Sequence, residues 1–212
     1  MRKLLKGLAW TFGILAVIVL VLRIFVIKWW TIPTEPWLDA SMGPTLRSGD
    51  FVILITRGDR EFGDLVRCTD PEDPNSWVVG RIGGVAGDRV QVDKGTLVVN
   101  GRRYGTTEAC REDMFAVKDP SSGAPANIRC ARVEMGGGWH YVGMGKNAGA
   151  DEGQEFTVGA GRVFLVSDDR EFSRDSRDFG AVPAETCTER ITFRLWGADG
   201  FFKSPTRFDA IR

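Results

Sequence analysis

The sequence has a single histidine, His140, and no net charge, because 28 basic residues balance 28 acidic ones. That balance leaves no electrostatic footprint for nucleic acid, so no nucleic-acid partner is expected. Its four cysteines, Cys68, Cys110, Cys130 and Cys187, lack the close spacing of a zinc site. Neither a metal nor another cofactor is expected. After the first thirty residues no long amphipathic helix pattern occurs, and the chain carries 26 glycines. No small-x-small cleavage site follows the first apolar run, which argues against a removable leader.

What the sequence does contain begins with that run. Arg2, Lys3 and Lys6 form a basic lead, and no charge follows from Leu8 to Leu22. A membrane helix needs about 20 mostly apolar residues. Leu8 to Ile27 meets this if Arg23 snorkels to the interface, with Trp29 and Trp30 as an aromatic belt. The basic lead outweighs Arg23 and Lys28, which predicts a cytoplasmic N-terminus. Residues 1–30 are thus read as a single-pass anchor in the lipid bilayer, 31–37 as a linker, and 38–212 as one extracytoplasmic domain.

That domain reads as β. Short runs at Phe51–Ile55, Asp64–Cys68, Val90–Asp93, Trp139–Val142, Arg162–Val166 and Ile191–Leu195 predict strands, and Lys94-Gly95 predicts a hairpin turn into Thr96–Val99. Short strands between turn residues predict a mainly β, barrel-like domain. Residues 103–138 read differently, because Pro120–Pro125 and Gly136–Gly138 have loop composition.

Three stretches carry chemistry. Ser41-Met42-Gly43-Pro44-Thr45-Leu46 sets a serine beside a Gly-Pro bend. Val79-Gly80-Arg81-Ile82-Gly83-Gly84-Val85-Ala86-Gly87-Asp88-Arg89-Val90 and Ser167-Asp168-Asp169-Arg170-Glu171-Phe172-Ser173-Arg174-Asp175-Ser176-Arg177 follow in that order. Together they resemble the boxes of the type I signal peptidases: Ser-Met-x-Pro-Thr-Leu, Lys-Arg-x-x-Gly-x-x-Gly-Asp-x-Val and Gly-Asp-Asn-Arg-x-x-Ser-x-Asp-Ser-Arg. The resemblance implies a membrane-bound serine endopeptidase at the plasma membrane. It would remove signal peptides from exported proteins, taking their extended signal-peptide region as partner. It makes Ser41 the nucleophile, Ser173 the serine that orients a lysine, and Asp168, Asp175, Arg177 and Arg81 the supporting charges. It also places an accessory β insertion at about 103–138. Outside the cytoplasm an even cysteine count suggests disulfides. Cys110–Cys130 within the insertion with Cys68–Cys187 is one of three pairings, and buried free thiols are the alternative.

Ser167 and Asp169 stand where the third box carries Gly and Asn, and two further departures bear on the chemistry. Gly80 stands where the family carries the lysine that takes the serine proton, and glycine cannot accept one. Arg81 cannot replace it, because a guanidinium stays protonated. The remaining lysines, Lys3, Lys6, Lys28, Lys94, Lys118, Lys146 and Lys203, lie in the lead, after the apolar run or in loop-like sequence, and His140 lies sixty residues past the lysine position. Asp39 stands at the oxyanion-hole position; in an extended segment it shares a face with Ser41 and opposes the developing negative charge. Carboxyl groups ionise near about 4, so Asp39 itself needs strong desolvation to serve as base. Trp37, Leu38 and Met42 either form apolar surface beside the serine or pack into the core. The alternative function is therefore an inactive relative that binds peptide or a membrane partner without cleaving it.

Overall fold

The computed structural model describes residues 2–145 and 153–211, with side chains at all of these except 2–5, 8, 9, 22, 24 and 111. In chain order the elements are α1 (Arg2–Phe25), β1 (Ile27–Thr31), α2 (Pro36–Ser41), β2 (Phe51–Ile55), β3 (Leu65–Thr69), β4 (Trp77–Val85), β5 (Arg89–Asp93), β6 (Thr96–Val99), β7 (Arg102–Tyr104) and β8 (Thr106–Lys118). They continue as β9 (Pro125–Met135), β10 (Gly138–Met144), β11 (Glu155–Thr157), β12 (Arg162–Val166), α3 (Ser176–Phe179), β13 (Val182–Pro183), β14 (Glu189–Trp196) and β15 (Asp209–Ala210). The chain is mainly β, and its largest sheet curls into a half-barrel.

That sheet runs in the order β1-β2-β14-β3-β4-β12-β13, with β15 paired to β14. Side chains alternate between its faces, as the period of two requires. One face sends Val52, Leu54, Leu65, Val79 and Ile191 into a core closed by Leu38, Met42 and Leu46 of the Ser41 segment. The other sends Val66, Cys68, Val78, Ile82, Val163 and Leu165 against Val182 and Cys187. A disulfide joins Cys68 to Cys187 inside this second core. A four-stranded sheet, β11-β5-β6-β7, packs around Phe164 and Val166, and the Lys94-Gly95 turn joins β5 to β6 as predicted.

The 103–138 stretch is more regular than its composition suggests. Only its proline- and glycine-rich pieces are turns: residues 119–124 join β8 to β9 in a long antiparallel hairpin, and residues 136–137 lead into β10, which adds a third strand. A second disulfide joins Cys110 to Cys130 across this hairpin.

The stretch read as a linker is built into the domain. Ile32 is 1% exposed, and its main chain bonds Asp50 and Gly49. The α1 helix turns outward such residues as Trp10, Phe12, Val17, Val19 and Phe25. Among the described residues, which omit the side chains at 8, 9, 22 and 24, no helix is long and apolar enough to cross a membrane.

The disulfide between β3 and the chain before β14 spans 119 residues. Cross-links over such loops restrict the unfolded chain strongly, so Cys68→Ala with Cys187→Ala is expected to cost about 2–5 kcal/mol. Urea unfolding of the double variant beside the parent measures this.

Candidate active site around Ser41

Ser41 ends a short helix, not an extended segment. Glu35 caps α2 by accepting from the Trp37 and Leu38 amides, 3.1 and 2.5 Å away, and Pro36 occupies the first turn. Successive helical residues rotate by about 100°, so Asp39 and Ser41 point to different sides. The Asp39 carboxylate accepts from the Ser48 amide at 2.7 Å. Helical spacing also turns Leu38 and Met42 into the core, at 6% and 0% exposure, while Trp37 stays half-buried. The expectation of an extended segment is therefore corrected, and with it the geometry that set the Asp39 carboxylate beside the Ser41 hydroxyl.

The turn after Ser41 is held by a buried ion pair. Arg81 donates to both oxygens of Asp168, Nε to Oδ1 at 2.7 Å and Nη2 to Oδ2 at 3.0 Å, and to the Gly63 carbonyl at 3.1 Å. Thr45, four residues past Ser41, donates its hydroxyl to the same carboxylate. Burial pushes the Asp168 carboxyl up, but Arg81 and the Thr45 hydroxyl outweigh it and hold the group below its ordinary range. Asp175 and Arg177 form a second, separate pair at 2.8 Å. Asp175 caps α3 and accepts the Ser167 amide at 2.7 Å, which fixes the loop between the two pairs.

That loop reaches Ser41 directly. The Asp169 amide donates to the Ser41 carbonyl at 2.8 Å. The Asp169 side chain is fully buried, and its Oδ1 accepts from the amides of Glu171 and Phe172 while Oδ2 has no partner. Burial drives this carboxyl up to about 6, although the two amides pull the other way.

Among the described residues no hydrogen bond reaches the Ser41 hydroxyl. His140 is brought to the ion pair and not to the serine: its Nε2 lies 3.6 Å from Asp168 Oδ1, too far for a hydrogen bond. Burial, followed by the charge of Arg81, keeps its imidazole neutral by lowering its pKa well below the usual range. A cavity of about 280 Å³ opens beside His140 and Arg81, lined also by Asp64 and Arg190, but not by Ser41. Lys28 is paired with Glu189 at 2.8 Å, and Lys94, Lys118 and Lys203 are exposed. Lys146 and the side chain of Lys3 lie outside the described residues.

Gly80 and Arg81 are neighbours on β4, and their alternation sends them to opposite faces. A β-carbon at Gly80 would stand 3.1 Å from Leu165 Cβ and 3.3 Å from the Val166 carbonyl, facing the second core. Ser173 is half-buried near the same end of β12. Thr45 and Asp169 are the site residues that sequence reasoning passed over, although both lie inside the quoted boxes.

An aspartate whose folded value lies above its unfolded one destabilises the fold as pH rises between the two. The burial cost at Asp169 is therefore absent below about pH 4 and complete above about pH 7. Asp169→Asn keeps the acceptor oxygen and is expected to stabilise the protein by about 1–3 kcal/mol at pH 8 and by almost nothing at pH 4. Urea unfolding at the two pH values checks both parts.

Residues 5–196 match the family described as signal peptidase, peptidase S26. The chain is 29% identical over 177 residues to Signal peptidase I of Pseudomonas aeruginosa, covering 76% of this chain and 58% of that protein's length. It is 28% identical over 164 residues to Signal peptidase I of Streptococcus pneumoniae, covering 74% of this chain and 78% of that protein. Against Signal peptidase IB of Staphylococcus aureus it is 26% identical over 211 residues, with 92% of each chain covered. With its Ser41, Arg81 and Asp168 stretches all inside the matched region, the chain belongs to the type I signal peptidase family.

Proposed function

We propose that this chain is a signal peptidase I-like serine endopeptidase of protein export, held at the plasma membrane by residues 1–30 with its β domain outside the cytoplasm. Its substrate is the extended signal-peptide region of exported proteins. The observation that carries the reading is the bracing of the Ser41 turn from both sides, by Asp169 at the Ser41 carbonyl and by Arg81–Asp168 at Thr45. In this reading the Ser41 hydroxyl attacks the scissile carbonyl, an acyl-enzyme forms, and water releases it. The anchor rests on the apolar run from Leu8 to Ile27. The test is cleavage of a preprotein by the detergent-solubilised chain beside its Ser41→Ala variant. Cleavage lost with the hydroxyl is expected, and cleavage that persists in the variant would refute the role of Ser41.

A second reading is favoured by one observation: among the described residues no lysine or histidine nitrogen bonds the Ser41 hydroxyl, and the resemblance expects a lysine where this chain has Gly80. A hydroxyl without a proton acceptor is a poor nucleophile. In this reading the chain binds the same peptide, or a membrane partner, and leaves it uncut. Position 80 bears on this reading. A β-carbon there faces the second core, 3.1 Å from Leu165 Cβ and 3.3 Å from the Val166 carbonyl, on the side of β4 opposite Arg81. A lysine there is directed away from the Ser41 turn, so Gly80→Lys alone is expected to leave Ser41-dependent cleavage unchanged. A rise of ~10-fold or more in the same preprotein assay would show that a lysine at position 80 reaches Ser41 and serves as its base.

A further inference from the structure

The β8–β9 hairpin packs on the Ser41 turn. Phe115, Val117, Ile128 and Cys130 form an apolar cluster with Ala40, the residue before Ser41. A β-carbon at Gly43 would stand 2.8 Å from the Phe115 ring, and one at Gly143 would stand 2.9 Å from it. Ser41 itself is 3% exposed. An extended peptide needs an open approach to the nucleophile, and Phe115 packs on Ala40 and Gly43, on either side of it.

The hairpin is irregular beside this seat. Ala109 lies opposite Ala131, yet Met114 lies opposite Arg129, so β8 bulges between them and its ladder is interrupted. Cys110 begins the bulge, and its disulfide to Cys130 fastens the bulge to β9. Cys130 is buried, whereas Cys110 is only half-buried. A covalent bond thus supports the register where strand hydrogen bonds are interrupted, in the same apolar cluster that covers Ala40.

We propose that the β8–β9 hairpin is a lid over the Ser41 turn, latched by Cys110–Cys130 and released by a dithiol reductant. A thiolate of the reductant attacks Cys110 Sγ, the S–S bond breaks, and Cys130 leaves as a thiolate that takes up a proton. The second thiol of the reductant then displaces Cys110, leaving two protein thiols and an oxidised, disulfide-bonded reductant. Release frees the bulge, and Phe115 withdraws from Gly43. The proposal rests on Ser41 as nucleophile, but its test does not require cleavage.

The full-length chain carrying Ser41→Cys is treated with iodoacetamide in detergent, and alkylation at position 41 is followed by peptide mass. The latch closes a separation of 20 residues. Removing a cross-link of that span loosens what it holds by on the order of 100-fold, so alkylation is expected to rise at least ~10-fold when Cys110→Ala and Cys130→Ala are added. Phe115→Ala with the disulfide intact is expected to raise it as well. An unchanged rate in either background overturns the proposal. Hydrogen exchange on the Cys110→Ala, Cys130→Ala chain guards against a folding failure. Faster exchange at residues 38–46 with β2 still protected supports the lid. Unchanged exchange at 38–46, or loss of protection in β2 as well, shows that the bond does not govern a lid, and the idea fails.

Discussion

The structure depends on the buried pair between Arg81 and Asp168, whose side chains are 1% and 0% exposed. Removing two charges from water is costly, and the pair is tolerable only because its remaining hydrogen-bonding capacity is met. The guanidinium fork matches the carboxylate, the Gly63 carbonyl takes a further N–H, and Thr45 takes up the second carboxylate oxygen. Three distant stretches therefore meet at one carboxylate: the turn after Ser41, β4 and the end of β12. The neutrality of His140 follows from the same place, since a further cation beside Arg81 in a dry interior is unfavourable.

From this pair outward the order becomes more local. Asp175 caps α3 and holds the Ser167 amide, and Arg170 reaches back to the Ser167 carbonyl. The loop so fixed presents the Asp169 amide to Ser41 and joins β10 through Gly143, whose amide and carbonyl bond Asp168 and Arg170. The alternation of β4 then divides the site. The scaffold that supports the Ser41 turn lies on one face of the sheet, and position 80 lies on the other, against Leu165. Position 80 can lack a side chain without disturbing Arg81 or Asp168.

Much of this was legible in the sequence. The strands at Phe51–Ile55 and Arg162–Val166, the Lys94-Gly95 turn and the grouping of Ser41, Arg81 and Asp168 follow from residue pattern and from the three boxes. The disulfides realise one of the three pairings that four cysteines allow. The helical form of α2 was less legible, because six residues are too few to display a period. Its signal was Glu35-Pro36, an acidic cap followed by proline at the first turn, and Leu38 with Met42 four residues later is the spacing of one helical face. The long strands of the hairpin were hidden by the glycine and proline of the turns beside them. The register break at Cys110 is a tertiary matter: it shows only when β8 is laid against β9. The seat of His140 beside Asp168 likewise depends on strands far apart in the chain.

A last consequence concerns the junction between the first helix and the sheet. Only Val26 separates α1 from β1, and the Phe25 and Val26 carbonyls are taken up by Thr56 and Arg57 beyond β2. Lys28 is tied to Glu189 of β14, and Arg67 of β3 lies over the Trp30 ring. The chain thus passes from helix to barrel with almost no slack. On the proposed reading, with α1 held in a bilayer, this junction would set the height and tilt of Ser41 above the headgroups much as a short rigid stalk sets the reach of a tool.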